Sequence, residues 1–204
     1  VTSTWQVPTP QGPARVRELG SGSGATRLRL VLGHGAGGTL ATVSPDLAVL
    51  ADGLPATGVR VLLVDQPWRV AGRRVAPAPA RLDEAWCAVL DALPRDLPLL
   101  VGGRSAGARV ACRTAASMGA SGVVALAFPL HPPGRPERSR AAELLGSGVP
   151  TLVVQGRRDA FGRPDELPSA PHLTVASVDG DHTLAAAPAQ VLAAAQAWLV
   201  ARAT

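Results

Sequence analysis

The stretch Leu97 to Arg109, LPLLVGGRSAGAR, decides the fold. Its first half, Leu97 to Gly102, is a short apolar run of the kind that forms a fully buried strand. Residues Gly103-Arg104-Ser105-Ala106-Gly107 then spell G-x-S-x-G, and a helical pattern follows from Ala106 to Ser117. Glycines flank the serine because a strand-to-helix turn this tight leaves no room for a Cβ against the neighbouring strand and helix. The sharp turn lifts the serine Oγ clear of the backbone at a helix N-terminus, where unpaired N–H groups favour developing negative charge.

Outward from this turn, short apolar runs alternate with helical segments. Leu28–Gly33, Val59–Asp65, Val123–Phe128, Thr151–Gln155 and Leu173–Val178 read as further strands, most of them apolar on both faces. Helices are expected at Pro45–Leu54, after a Ser44 cap, and at Arg81–Leu93, Arg138–Leu145 and Ala189–Ala203. This alternation predicts an α/β fold with a doubly wound, mostly parallel sheet. Trp5–Val7 and Ala14–Leu19 are expected to add an antiparallel N-terminal edge hairpin, with Gly20–Gly24 (GSGSG) as the turn into the first core strand. There is no repeat and no low-complexity block, so residues 1–204 read as one domain.

In such sheets ligands sit outside the carboxyl ends of the strands. A serine nucleophile there needs a base, and histidine is the usual one near neutral pH. His34 follows the first core strand, His131 the fourth, and His172 precedes the last. His182, in Val178-Asp179-Gly180-Asp181-His182, follows the last strand and comes after Ser105 with a carboxylate loop between them, giving the order Ser, Asp, His. That loop follows Thr151–Gln155 and ends in Asp159, the expected orienting acid; its alternative role is a surface partner of Arg157 or Arg158. The strand ending at Phe128 runs into Pro129-Leu130-His131, without a carboxylate, and Asp179 and Asp181 stand too near His182. Backbone N–H groups of Ala36, in the bare loop His34-Gly35-Ala36-Gly37-Gly38, and of Ala106 are the expected oxyanion donors.

A rival reading shares that loop. Gly33 to Gly38 also fits G-x-G-x-x-G after a strand, and the next strand ends in Asp65, where a dinucleotide fold binds a ribose. A dinucleotide motif runs straight into its helix, whereas Thr39 to Val43 intervene here before Ser44-Pro45. It would also leave Ser105, Asp159 and His182 unexplained, so a dinucleotide-dependent oxidoreductase ranks third, after a hydrolase and a non-catalytic scaffold of the same fold.

Composition narrows the rest. The 204 residues are 47% hydrophobic and 17% charged, enough to bury one sizeable core and too apolar for a disordered chain. No apolar stretch reaches the ~18 residues of a bilayer span, so no membrane role is expected. Residues 1–15 carry neither a basic nor an apolar signal region, which makes the cytoplasm the expected location. The net charge of +5 comes wholly from arginine, since the chain contains no lysine. Phosphate loops of the Walker type, Schiff-base chemistry and a pyridoxal phosphate anchor all need that lysine. Cys87 and Cys112 lie in helical segments and read as reduced core residues; two thiols make no tetrahedral cysteine zinc site, and no metal site is read elsewhere. Aromatic residues are only 3% and no basic helix stands out, so nucleic acid is not an expected partner.

The segment between Asp65 and Arg81 is the longest loop at the active edge, too short for a lid domain, so the pocket should be shallow and open. Its expected lining is His34, Trp68, Arg104 and His131. Arginines 69, 73, 74, 104, 135, 138, 157, 158 and 163 all belong to loops at this edge or to the elbow. If some face the pocket, its mouth favours an acyl or leaving group that carries a carboxylate or phosphate; otherwise they are solvated surface.

LGHGAGG at Leu32–Gly38, GGRSAGAR at Gly102–Arg109, and FPLHPPGRPE at Phe128–Glu137 followed by PTLVVQGRRDAFG at Pro150–Gly162 carry a resemblance over nearly the whole chain. The sequence resembles the α/β-hydrolase superfamily. Within it, the sequence is similar to the small cap-less branch of dienelactone-hydrolase-like proteins and relatives of a chromatin acetyltransferase complex subunit. The resemblance implies a Ser-His-Asp triad, no cofactor, and small-molecule ester or thioester substrates. Dienelactone hydrolases proper use cysteine where this chain has Ser105, which argues against that particular activity. Some members of the branch serve as scaffolds.

Overall fold

In the computed structural model, residues 3–19, 25–37 and 43–201 are described. The expected Gly20–Gly24 turn lies outside them. Eight strands form one sheet in the order β1-β2-β4-β3-β5-β6-β7-β8, namely Ser3–Val7, Ala14–Leu19, Val59–Asp65, Leu28–Gly33, Leu99–Arg104, Gly122–Leu126, Thr151–Gly156 and Leu173–Val178. β1, β2 and β4 pair antiparallel, and every pair from β4 to β8 is parallel. The expected doubly wound sheet with an antiparallel N-terminal edge is therefore present.

Side-chain alternation sorts the core into two layers. Val31, Val101, Val123 and Val153 face one side, packed under α3 (Pro79–Asp91) and α4 (Ala106–Thr114). Leu30, Leu32, Leu100, Val124 and Leu152 face the other, under α1 (Pro45–Gly53) and α6 (Pro188–Val200). In α3 the buried residues are Leu82, Ala85, Trp86, Val89 and Leu90, the 3–4 spacing of one helical face. β8 departs from the pattern: Val175 is exposed, because an edge strand has only β7 beside it.

Many element boundaries shift by one to three residues from the sequence reading, and three differences have a physical reason or alter an element. β5 starts at Leu99 and runs to Arg104, because Pro98 has no N–H to give a central ladder. α5 is only Ala141–Leu145, and Pro136–Arg138 forms a separate 3-10 turn. The loop after β4 contains a one-turn helix, α2 (Pro67–Val70), that its length hid from any periodicity argument. Cys87 and Cys112 are unpaired, and burial pushes the Cys112 thiol up to about 12.

The chain leaves β3 toward β4 on one side, while β5 lies on the other. The carboxyl ends of β3 and β5 thus flank a topological switch point, where loops diverge and open a crevice. The loops after those two strands are 34–37 and the Ser105 turn.

Candidate active site

β5 delivers Ser105 at the end of its ladder, one residue past the last parallel pair, Arg104 with Leu126. The Ser105 N–H donates to the Leu126 carbonyl at 2.9 Å, which fixes the turn to β6. Its φ is 52° and ψ is −108°, a conformation costly for a residue with a side chain. A Cβ on either Gly103 or Gly107 would collide with the carbonyl oxygen of Gly33, so the backbone of β3 itself forces glycine at both places. Two other non-glycine residues among those described have positive φ, Ala127 at 46° and Leu184 at 53°. One follows β6 and the other stands two residues after His182, so local strain gathers around the Ser105 turn.

The Ser105 Oγ lies 3.0 Å from His182 Nε2, and His182 Nδ1 donates to Asp159 Oδ2 at 2.8 Å. With Nδ1–H committed to the carboxylate, Nε2 is the acceptor that faces the hydroxyl. The Phe161 ring packs on the imidazole, centroids 4.2 Å apart. Asp159 is buried, and its Oδ1 accepts the Phe161 N–H at 2.8 Å. Oδ2 also accepts from Gln155 Nε2 at 3.0 Å, and the same amide nitrogen reaches the carbonyls of Phe128 at 3.2 Å and Gly162 at 2.6 Å. Three acceptors around one nitrogen fix which end of the Gln155 amide points at them. Gln155 and Phe161 were missed in the sequence. The one signal was a lone polar residue closing the apolar run TLVVQ.

Of the expected pocket residues, His34 and Arg104 line a cavity of about 340 Å³ beside the carboxyl ends of β3 and β4. His34 Nδ1 donates to the Gly35 carbonyl at 2.7 Å, and Nε2 accepts the Gln66 N–H at 3.1 Å. Both nitrogens are used in the neutral ring; burial first, and the nearby Arg69 and Arg17 charges after it, push its pKa down to about 4. Arg104 braces the site: Nη2 donates to the His182 carbonyl at 2.8 Å, and Nε stands 3.1 Å from Asp46 Oδ2 in the first turn of α1. Trp68 turns inward, 6% exposed, with its ring edge-on to His34 and under the Arg69 guanidinium. It supports the cavity wall from behind, because α2 directs its apolar side chain to the core. His131 lies elsewhere, in an open hollow with Arg157, Arg158, Arg163 and Glu166 on the Asp159 side. Arg73, Arg74, Arg135 and Arg138 are exposed.

Arg69 was expected only as one of many loop arginines. It is buried, and its Nη2 donates to the carbonyls of Gly35 at 2.8 Å and Gly37 at 2.7 Å. The Gly35 carbonyl is therefore held twice, by His34 and by Arg69. Among the described residues the first helix after this loop, α1, begins at Pro45, and Asp65 is engaged by Arg17 at 3.3 Å, not free for a ribose. Among the described residues no group of three or more His, Cys, Asp or Glu side chains converges as metal ligands would, and no helix is long and apolar enough to cross a membrane.

Residues 26–202 match a family described as an alpha/beta hydrolase domain. The chain belongs to that family. The structure of this hydrolase is similar to that of an a/b serine hydrolase without lid from Xanthomonas campestris, at 17% identity over 97% of this chain and 94% of that one, TM-score 0.69. It is also similar to an alpha-beta serine hydrolase homologue from Coxiella burnetii, at 17% identity over 94% of each chain, TM-score 0.72. A thioesterase domain from the curacin biosynthetic pathway matches at 16% identity over 95% of this chain and 98% of that one, TM-score 0.72. At these identities the likeness is one of fold. No curated protein matches the hydrolase by sequence.

Proposed function

We propose that this hydrolase cleaves small ester or thioester substrates through an acyl-enzyme on Ser105, with His182 as general base and then acid, and Asp159 as its orienter. The observation that carries the reading is the continuous chain Ser105 Oγ, His182 Nε2, His182 Nδ1, Asp159 Oδ2, with links of 3.0 and 2.8 Å, on a strained turn. Attack by Oγ on the ester carbonyl moves its proton to Nε2; collapse of the tetrahedral adduct returns that proton to the departing alcohol or thiol. Water then repeats the sequence and releases the acid. Asp159 holds the imidazole tautomer and stabilises the imidazolium, without taking the proton.

The N–H groups of Ala36 and Ala106 are the proposed oxyanion donors. Ala106 opens α4, so its N–H has no carbonyl four residues back. Ala36 shares a peptide unit with the Gly35 carbonyl. In a trans peptide the N–H points opposite to the C=O, so the two donors that clamp Gly35 also fix the direction of the Ala36 N–H. Residues 1–204 act as one domain in this reading, and the motifs favour the cap-less branch shared with dienelactone-hydrolase-like proteins and the chromatin complex subunit.

The test is incubation with a fluorophosphonate followed by intact mass, on the wild type and on Ser105→Ala. One label per chain, absent from the variant, is expected. A folded wild-type protein that takes no label refutes the reading and leaves a scaffold of this fold.

A further inference from the structure

The cavity of about 340 Å³ beside β3 and β4 adjoins the Ser105 turn without containing Oγ. Gly35 forms the shared wall: a Cβ there would come 3.5 Å from the Cβ of Ser105 and 2.9 Å from Arg104 Nη1. Thr183, next to His182, closes the same side. One part of the lining is aliphatic, chiefly Leu32, Val43, Leu47 and Leu63, and the polar part holds three arginines, Arg17, Arg69 and Arg104, against one carboxylate, Asp65, with the neutral His34. The volume is at the small end for ligand sites.

The charges do not cancel. Arg104 is matched by Asp46 at 3.1 Å, and Arg17 by Asp65 at a loose 3.3 Å. Arg69 makes no ion pair among the described residues; its Nη2 is spent on two carbonyls, and its buried Nε has no hydrogen-bond partner. Arg17 Nε is likewise buried and, among the described residues, unpartnered. A buried guanidinium with unused donors is costly unless something with acceptors meets it. Burial first, and then the Arg69 and Arg17 charges, keep His34 neutral, so it adds no charge to this wall.

We infer that the cavity is an anion subsite of the substrate pocket, in which Arg69 and Arg17 hold a carboxylate borne a few carbons from the scissile ester. Resting on the hydrolase reading, this narrows the substrate to short esters with an aliphatic segment and an anionic end, such as half-esters of dicarboxylic acids. The aliphatic wall takes the methylenes, and the unused donors of Arg69 and Arg17 take the carboxylate, one oxygen to each guanidinium.

The experiment has a turnover arm and a binding arm. Proton release from monoethyl succinate, glutarate and adipate is compared with that from ethyl butyrate, and butyryl glycolate places the carboxylate on the alcohol side instead. The best acidic ester is expected to exceed ethyl butyrate in kcat/KM by about tenfold to a hundredfold, as for one charge-assisted contact. Arg17→Gln brings that ratio down toward one, and Arg17→Lys keeps most of it. Whichever half carries the favoured carboxylate identifies the half of the ester that enters the cavity. Equal kcat/KM for acidic and neutral esters, or an equal loss on both in Arg17→Gln, overturns the subsite while leaving the hydrolase intact. In the binding arm, monoethyl glutarate is titrated calorimetrically into Ser105→Ala, against diethyl glutarate. Binding of the monoester alone, weakened by adding Arg17→Gln, supports the subsite even if no ester is turned over. No heat from the monoester in a folded protein overturns it.

Discussion

Buried carboxylates stand on both sides of Ser105, and they are treated differently. On the β7 side, both oxygens of Asp159 are in use, meeting the Phe161 N–H, the Gln155 amide and His182. On the β4 side, Asp65 offers one oxygen to Arg17 at 3.3 Å and leaves the other buried without a partner. Burial pushes the carboxyls of Asp65 and Asp46 up, while Arg17 and its neighbours pull the first back and the Ser44 hydroxyl and then Arg104 the second. In the proposed mechanism Asp159 orients the imidazole, and donors from three directions immobilise its carboxylate. Half-served Asp65 instead borders the cavity, beside Arg17 and Arg69, whose unused donors an acceptor on a ligand can complete. The contrast separates a relay from a receptacle.

The largest expected effect tests the relay side. Asp159→Asn places an amide among donors: its NH₂ faces either the Gln155 amide or the His182 Nδ1–H, and the imidazole turns to the wrong tautomer. A fall of about 10⁴ in kcat is expected, with the fold retained by circular dichroism. The same exchange at Asp65 removes one loose ion pair and should cost about tenfold or less on ethyl butyrate. Comparable losses at the two positions would erase the distinction between the sides.

Next in size is a pH effect on the receptacle side. His34 is held neutral in the folded chain down to about pH 4, against an ordinary 6.5. Between those values the unfolded chain binds a proton that the folded one refuses. Stability from this group is thus complete above pH 6.5, falls with pH, and is lost by about pH 4, a difference of about 3 kcal/mol. Asp46 and Asp65, whose carboxyls are raised, act in the opposite sense, so the measurement is a difference. Urea unfolding of the wild type and His34→Gln from pH 7 to pH 4 should show a flatter profile for the variant. Parallel profiles would mean that the ring is not locked as the hydrogen bonds with Gly35 and Gln66 require.

The sheet was legible in the sequence because parallel strands buried on both faces are apolar throughout, and the Ser105 turn because the approach of Gly33 leaves glycine no substitute at 103 and 107. The supports were not. Arg69 sits in a single helical turn started by Pro67, too short for periodicity, and its partners belong to a loop after another strand. Arg17 acquires Asp65 only through sheet register, as a diagonal neighbour, since Asp65 lies opposite Arg15. Such pairs exist only once β2 has found β4.

Arg69→Met tests whether that hidden support matters to chemistry. Loss of the guanidinium frees the Gly35 and Gly37 carbonyls and lets the Ala36 N–H swing. On ethyl butyrate, kcat is expected to fall roughly tenfold to a hundredfold, short of the loss of a whole oxyanion donor, with KM within about twofold. Arg69→Lys, which can still donate to both carbonyls, should recover part of the rate. A rise in KM at constant kcat would place Arg69 in ground-state binding alone.

The smallest effect belongs to Gln155, a positioning residue that touches no substrate. Gln155→Leu removes the donor shared by Asp159, Phe128 and Gly162 and leaves three buried acceptors short of a hydrogen. A stability loss of about 1–3 kcal/mol follows from those unsatisfied groups and would occur under a merely structural role. Gln155→Glu separates the roles. Buried against Asp159 Oδ2 and two carbonyls, its carboxyl keeps a proton and shares it with Asp159, which weakens the negative field at His182, so the imidazole binds its proton less tightly. The acid limb of the kcat/KM profile should then move to lower pH, with kcat on the plateau reduced by about tenfold or less. An unmoved limb, with stability lowered in both variants, would assign Gln155 to the packing of the loop after β7 and leave Asp159 to His182 and the Phe161 N–H alone.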